Sequence, residues 1–150
     1  MATSAFRVYN SAKKYLLTGG IDLDTSVIMA TLIGNGGNAS DYTLSVIGSV
    51  SGSASGGGFA AKSLTGVTVG SGASAKVIKF DASDLVWTAS GSAIDSIKHL
   101  VLYVSGLSAG AHKLLGWVLL TSTAFTLSTN NTLTIQWNAS GIFTLSGGVT

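Results

Sequence analysis

The 150-residue chain contains no cysteine, no proline and no glutamate. Without cysteine there are no disulfides, zinc–thiolate centres or thiol nucleophiles. The fold must rest on its core, and a chain of this length can bury one without covalent staples. Without proline every strand keeps its backbone donors, so sheet edges stay open to pairing. Charge is scarce as well. Asp, Lys and Arg make up 9% of residues, against roughly 25% in an ordinary soluble domain. Hydrophobic residues reach 46% and the mean hydropathy is +0.50. Ser, Thr, Asn and peptide groups must do most of the wetting. Such a chain is expected to live in an assembly that covers much of its surface.

The few charges are dispersed. Arg7, Lys13, Lys14, Lys62, Lys76, Lys79, Lys98 and Lys113 form no run or stripe, and the net charge is +2. That pattern gives nucleic-acid binding little support. Residues 100–104 form the longest apolar stretch, far short of the roughly 20 residues a helix needs to cross a bilayer, so no membrane partner is expected. Residues 1–5 lack a basic start followed by an apolar core, the mark of a secretory leader. The length suits one domain spanning residues 1–150.

Periodicity divides the chain into one helix and many strands. In residues 8–17, Tyr9, Ala12, Lys13, Leu16 and Leu17 fall at spacings of three and four, and Gly19 and Gly20 follow as a stop. Strands are expected over residues 26–33, 64–69, 76–80, 85–89, 97–104, 114–121, 133–137 and 142–145. In residues 97–104 both faces are apolar, so this strand should be central and covered on both sides. Leu133, Ile135 and Trp137 alternate with Thr134 and Gln136 as in a half-buried strand. Gly, Ser, Asn and Asp clusters between these runs supply turns. About eight short strands without intervening helices indicate an all-β sandwich or barrel. Residues 48–58 are nearly all Gly, Ser and Ala and are expected to form a flexible loop, serving either as a contact arm or as a long connection.

Sites of chemistry are few. Gly106-Leu107-Ser108-Ala109-Gly110 matches the G-x-S-x-G of serine hydrolases, but a strand pattern follows where the nucleophile elbow needs a helix. A hairpin turn explains it better. His99 and His112, the only histidines, could meet across that hairpin, yet two imidazoles without a third ligand make a poor metal site. His99 reads as a hydrogen-bonded core or interface residue. Asp22 and Asp24 alternate, but calcium wants six to eight oxygens, so turn capping is expected of them, as of Asp81 and Asp84. No Gly-rich segment fits a phosphate loop. Trp87, Trp117 and Trp137 sit among apolar neighbours and are expected in the core; exposed, they would suit a carbohydrate-binding sandwich. The chain reads as a non-enzyme with no cofactor.

One resemblance adds to this. Val8-Tyr9-Asn10-Ser11-Ala12-Lys13-Lys14-Tyr15-Leu16, then Gly20-Ile21-Asp22-Leu23-Asp24 and Val27-Ile28-Met29-Ala30-Thr31-Leu32, resembles the opening of small tailed-phage structural proteins. Leu64-Thr65-Gly66-Val67-Thr68, Lys79-Phe80-Asp81 and Val86-Trp87-Thr88-Ala89-Ser90-Gly91 agree in kind. The nearest in character are head decoration, or cement, proteins. The resemblance implies a jelly-roll-like sandwich on the capsid surface of the virion. It also implies the major capsid protein as partner, self-association as a dimer or trimer, and no catalytic residues. A tail or fibre component of the virion would share this composition. Within this reading residues 1–9 are expected to form an arm docking on a neighbour, with Phe6, Arg7, Val8 and Tyr9 at the interface.

Overall fold

In the computed structural model, residues 5–106 and 111–146 are described. Strand β1 (Arg7–Val8) leads into helix α1 (Asn10–Leu17), followed by β2 (Ile28–Gly34) and a short 3-10 turn (Ile47–Ser49). Then come β3 (Ser55–Gly56), β4 (Lys62–Ser63), β5 (Thr68–Ser71), β6 (Val77–Asp81) and β7 (Leu85–Thr88). The chain continues through β8 (Ile94–Val104), β9 (Lys113–Leu119), β10 (Phe125–Leu127), β11 (Thr132–Ile135) and β12 (Phe143–Ser146).

The fold is all-β with one short N-terminal helix, and every strand pair is antiparallel. Among the described residues there are twelve strands, not eight. The surplus is four pieces of two or three residues, β1, β3, β4 and β10, too short to leave a periodic signal in sequence. The largest sheet runs β1-β9-β8-β2-β4, with β3 and β10 also on β8; β11-β7 and β12-β6-β5 form two small sheets.

β8 organises the molecule. Its C-terminal half pairs with β2 on one side and β9 on the other, and its N-terminal half takes β3 and β10. Leu100, Val101 and Leu102 are wholly buried, as a central strand covered on both faces requires. Where the two halves meet, Ser96 adopts a positive φ of 64° and the β2 register shifts at Gly34. A Cβ at Gly34 would lie 2.7 Å from the Ser96 carbonyl oxygen, so this kink admits only glycine on β2.

One hydrophobic core joins the helix and all three sheets, from Tyr9 and Ala12 through Leu100 and Leu102 to Phe80, Trp87 and Ile135. Val118 on one face of β9 meets the small-sheet side, sharing a cleft with Ile135, Ile142 and Phe143. Trp117 on the other face meets Tyr42 in the β2–β3 segment.

α1 ends as its glycines predict. Gly19 takes a φ of 70° and the Gly20 N–H donates back to the Tyr15 carbonyl at 2.7 Å. Lys113 then donates to the Gly20 carbonyl at 2.6 Å and sits 4.7 Å from the Tyr15 ring, tying the helix end to β9. Leu17 departs from the expected apolar stripe: it is 87% exposed.

Two expectations change. Residues 64–69 do not make one strand; the chain pairs at Lys62–Ser63, leaves, and pairs again at Thr68–Ser71. Residues 48–58 are not a free loop, because the backbone supplies what the missing side chains do not. Gly34 N–H donates to the Gly52 carbonyl at 2.6 Å, Ala54 N–H to the Leu32 carbonyl at 3.0 Å and Ser90 N–H to the Gly57 carbonyl at 2.9 Å. Asn38 accepts from Ser51 N–H and donates to the Ser49 carbonyl. Ser55–Gly56 joins the large sheet.

Candidate functional site

The N-terminal segment is built into the chain's own fold. Arg7 pairs with Trp117 and Val8 with Gly116. Phe6 stacks on Phe143 at 5.7 Å with planes 9° apart. Tyr9 is fully buried, and its hydroxyl donates to the Ala39 carbonyl at 2.6 Å. Burial, and secondarily the Asp41 charge, pushes that phenol far above its usual range. Tyr9 is therefore withdrawn from the expected interface set, since its surface is already spent; Phe6 and Val8 are partly buried, and only Arg7 of the four is exposed. The rest of the expected arm, residues 1–4, lies outside the described residues.

Around Trp117 a polar–aromatic cluster forms. The Arg7 guanidinium stands 5.5 Å from the indole centre and donates to the Tyr42 hydroxyl at 2.6 Å. His99 meets the same indole edge-on at 5.7 Å. His99 is buried as expected, but its Nδ1 has no hydrogen-bond partner among the described residues, nor has Trp117 Nε1. Burial, then the Lys98 charge, lowers the His99 pKa and so favours the neutral ring.

The two histidines are not brought together. His99 lies opposite Leu119, whereas His112 sits by Tyr103 at the other end of the hairpin, 5.7 Å from its ring. Among the described residues no three His, Asp or Glu side chains cluster as metal ligands would.

Asp22 and Asp81 act as turn residues as expected, whereas Asp24 makes no side-chain hydrogen bond among the described residues and Asp84 bonds across the fold. Asp22 accepts from Asp24 N–H at 3.0 Å and from the Thr25 hydroxyl at 2.7 Å, and these bonds lower its pKa. Asp81 accepts from Lys79 at 2.9 Å and from Ala82 N–H at 3.0 Å. Asp84 accepts from Trp137 N–H at 3.2 Å. Ser108, the candidate nucleophile, lies outside the described residues; among the described residues that follow it, the first regular element is the strand Lys113–Leu119, not the helix an elbow needs.

Two surface features remain. In the sheet β12-β6-β5, Phe80 lies opposite Val69 and Phe143, and Ile78 opposite Ser71 and Leu145. Residues two apart share a face, so the apolar face covering the core with Phe80 continues outward through Ile78. There it is uncovered: Val69 is 39%, Ile78 45% and Leu145 55% exposed. The second feature is a cleft of about 520 Å³ between the lead into β1 and the β11–β12 region. Ile135, Ile142 and Val118 contribute apolar lining, with Phe6, Phe143 and Trp137 as aromatic lining. Gln136, Asn138 and Thr144 add polar groups, and among the described residues no Asp, Glu, Lys or Arg lines it. Trp137 is thus only half-buried, while Trp87 and Trp117 are core residues.

No family model matches this chain, and no curated protein or solved structure matches it.

Proposed function

We propose that this chain is a non-catalytic structural protein of the virion, a decoration protein that binds the outer capsid shell and stabilises contacts between subunits. The observation that carries the reading is the apolar overhang of the β12-β6-β5 sheet. Ile78 and Leu145 lie directly opposite each other on the face that Phe80 uses to cover the core, yet both stand in solvent. The charges of this sheet alternate to the other face, where Lys79 and Asp81 pair at 2.9 Å. A surface so divided is suited to lie against another protein. β5 and β12 edge that sheet, and among the described residues neither has a second strand partner. Their unpaired backbone groups, in a chain without proline, can take a strand from a neighbour. The resemblance of residues 8–32 to small tailed-phage structural proteins supplies the setting. The major capsid protein is the proposed partner, and dimers or trimers the proposed form on the particle. Stabilisation of the shell follows from linkage, since separating subunits would also break contacts to the bridging protein.

Quantitative mass spectrometry of purified particles tests this. A copy number equal to that of the major capsid protein, or a simple fraction of it, is expected. A few copies per particle would move the chain to the tail or a fibre, and absence from the particle would overturn the structural reading. With Ile78→Thr and Leu145→Thr, polar residues that suit a strand, the isolated fold should lose no more than about 1–2 kcal/mol in all, while the chain is lost from particles.

A further inference from the structure

We propose that the cleft between the lead into β1 and the β11–β12 region is a binding site for a neutral saccharide, bordering along β12 the overhang that carries the assembly reading. Its volume of about 520 Å³ falls within the range of small-ligand sites. Three aromatic rings line it. Phe6 and Phe143 are stacked, and Trp137 is anchored by donation of its indole N–H to the Ser83 carbonyl at 3.1 Å. Fixed rings of this kind offer flat apolar surface to the C–H faces of a sugar. Polar groups stand beside them. The Gln136 amide and the Thr144 hydroxyl are exposed and make no hydrogen bond among the described residues. Asn138 accepts from Ser140 N–H through Oδ1, leaving its two amide donors without a partner among those residues. Donors and acceptors of both kinds are what vicinal hydroxyls need.

Other ligand classes fit less well. A phosphate, carboxylate or sulfate would find no cation among the described lining residues, and Lys79, opposite Thr144, is already engaged by Asp81. A lipid chain would leave the amides facing hydrocarbon unpaired, which is costly. A peptide adding as a strand would compete for the β12 edge that the assembly reading gives to a neighbour, and other donors in this wall are already used. Trp137 N–H goes to Asp84, Gly141 N–H to the Asn138 carbonyl and Ile142 N–H to the Phe80 carbonyl. Recognition therefore falls to side chains.

Trp137 also reports on the site. With Trp87 and Trp117 buried, acrylamide should quench chiefly Trp137. The experiment titrates the full chain with maltohexaose, cellohexaose, chitohexaose and mannohexaose up to about 10 mM, where even millimolar contacts register. At least one should shield Trp137 from quenching. Gln136→Ala with Thr144→Ala should weaken that binding about tenfold or more with an unchanged melting curve, since both side chains are exposed. Failure of all four sugars to shield Trp137 overturns the proposal, as does binding that the double variant leaves intact. Shielding by an uncharged octapeptide of Ser, Thr and Val, with none by the sugars, would assign the cleft to a partner chain instead.

Discussion

Replacing Tyr9 by Phe tests whether the N-terminal segment belongs to the chain's own core. The phenol is fully buried, and its hydroxyl donates to the carbonyl of Ala39, itself fully buried, at 2.6 Å. Tyr9→Phe keeps the ring and removes the donor, leaving a buried carbonyl unpaired. That costs about 1–3 kcal/mol. For a chain of this length each kcal/mol lowers Tm by about 2–4 °C, so differential scanning calorimetry at neutral pH resolves the loss easily. Alkaline pH gives a second, independent signature. Burial, then the Asp41 charge, raises the folded pKa of Tyr9 above its unfolded value. The stabilisation is fully present below the unfolded value of about 10 and is lost as pH rises toward the folded one. Over that window wild type loses about 1.4 kcal/mol per pH unit through this group; the variant, lacking the phenol, does not. The other three tyrosines are common to both chains and cancel. The gap between wild type and Tyr9→Phe should therefore narrow steadily above about pH 10. Equal Tm values at neutral pH with a pH-independent difference would refute the burial of Tyr9 and restore it to an arm that docks elsewhere.

Gly116→Ala would press a methyl against the Phe6 ring and place it 2.6 Å from the Arg7 carbonyl oxygen. Overpacking of this kind costs about 1–3 kcal/mol, read by urea denaturation. Adding Phe6→Ala should recover only part of the methyl's cost, because the Arg7 backbone still obstructs it. His99 contributes pH dependence on the acid side, its folded pKa being lowered by burial and by Lys98. As pH falls below about 6.5 the unfolded chain takes up this proton before the folded one does, so stability present above that pH is lost below it. His99→Leu should flatten this part of the slope between about pH 7 and about pH 5 in urea titrations, and an unchanged slope would contradict the burial.

The long elements were legible because period and burial agree in them. The doubly apolar run around Leu100–Val101–Leu102 signalled a strand covered on both faces, and these residues are wholly buried. Gly19 marked the helix end, where its positive φ is used. What escaped was structure made by backbone alone. Ser55–Gly56 carries no apolar side chain to show that it pairs with Asp95 and Ile94. Residues 64–69 read as one strand but lie across two short pairings, because local pattern does not tell where a partner strand ends.

The surface features escaped for a related reason. Trp137 shares its alternation with Leu133 and Ile135, and the pattern assigns all three to the core. Only Leu133 and Ile135 lie in the strand paired to β7; the pairing stops at Ile135, and Trp137 lines a cleft with Phe6 from the far end of the chain. Ile78 and Phe80 likewise look equivalent in sequence, two apart on one face. Phe80 is 2% exposed and Ile78 45%, because the core beneath the sheet ends between them. Period identifies which residues share a face, whereas the extent of the neighbouring layer decides how much of that face is covered. The overhang at Ile78 and Leu145 and the cleft at Trp137 are both places where an apolar pattern outlasts the layer that would bury it. That common origin makes both suited to a partner or ligand, and it is why periodicity alone does not separate either from the core.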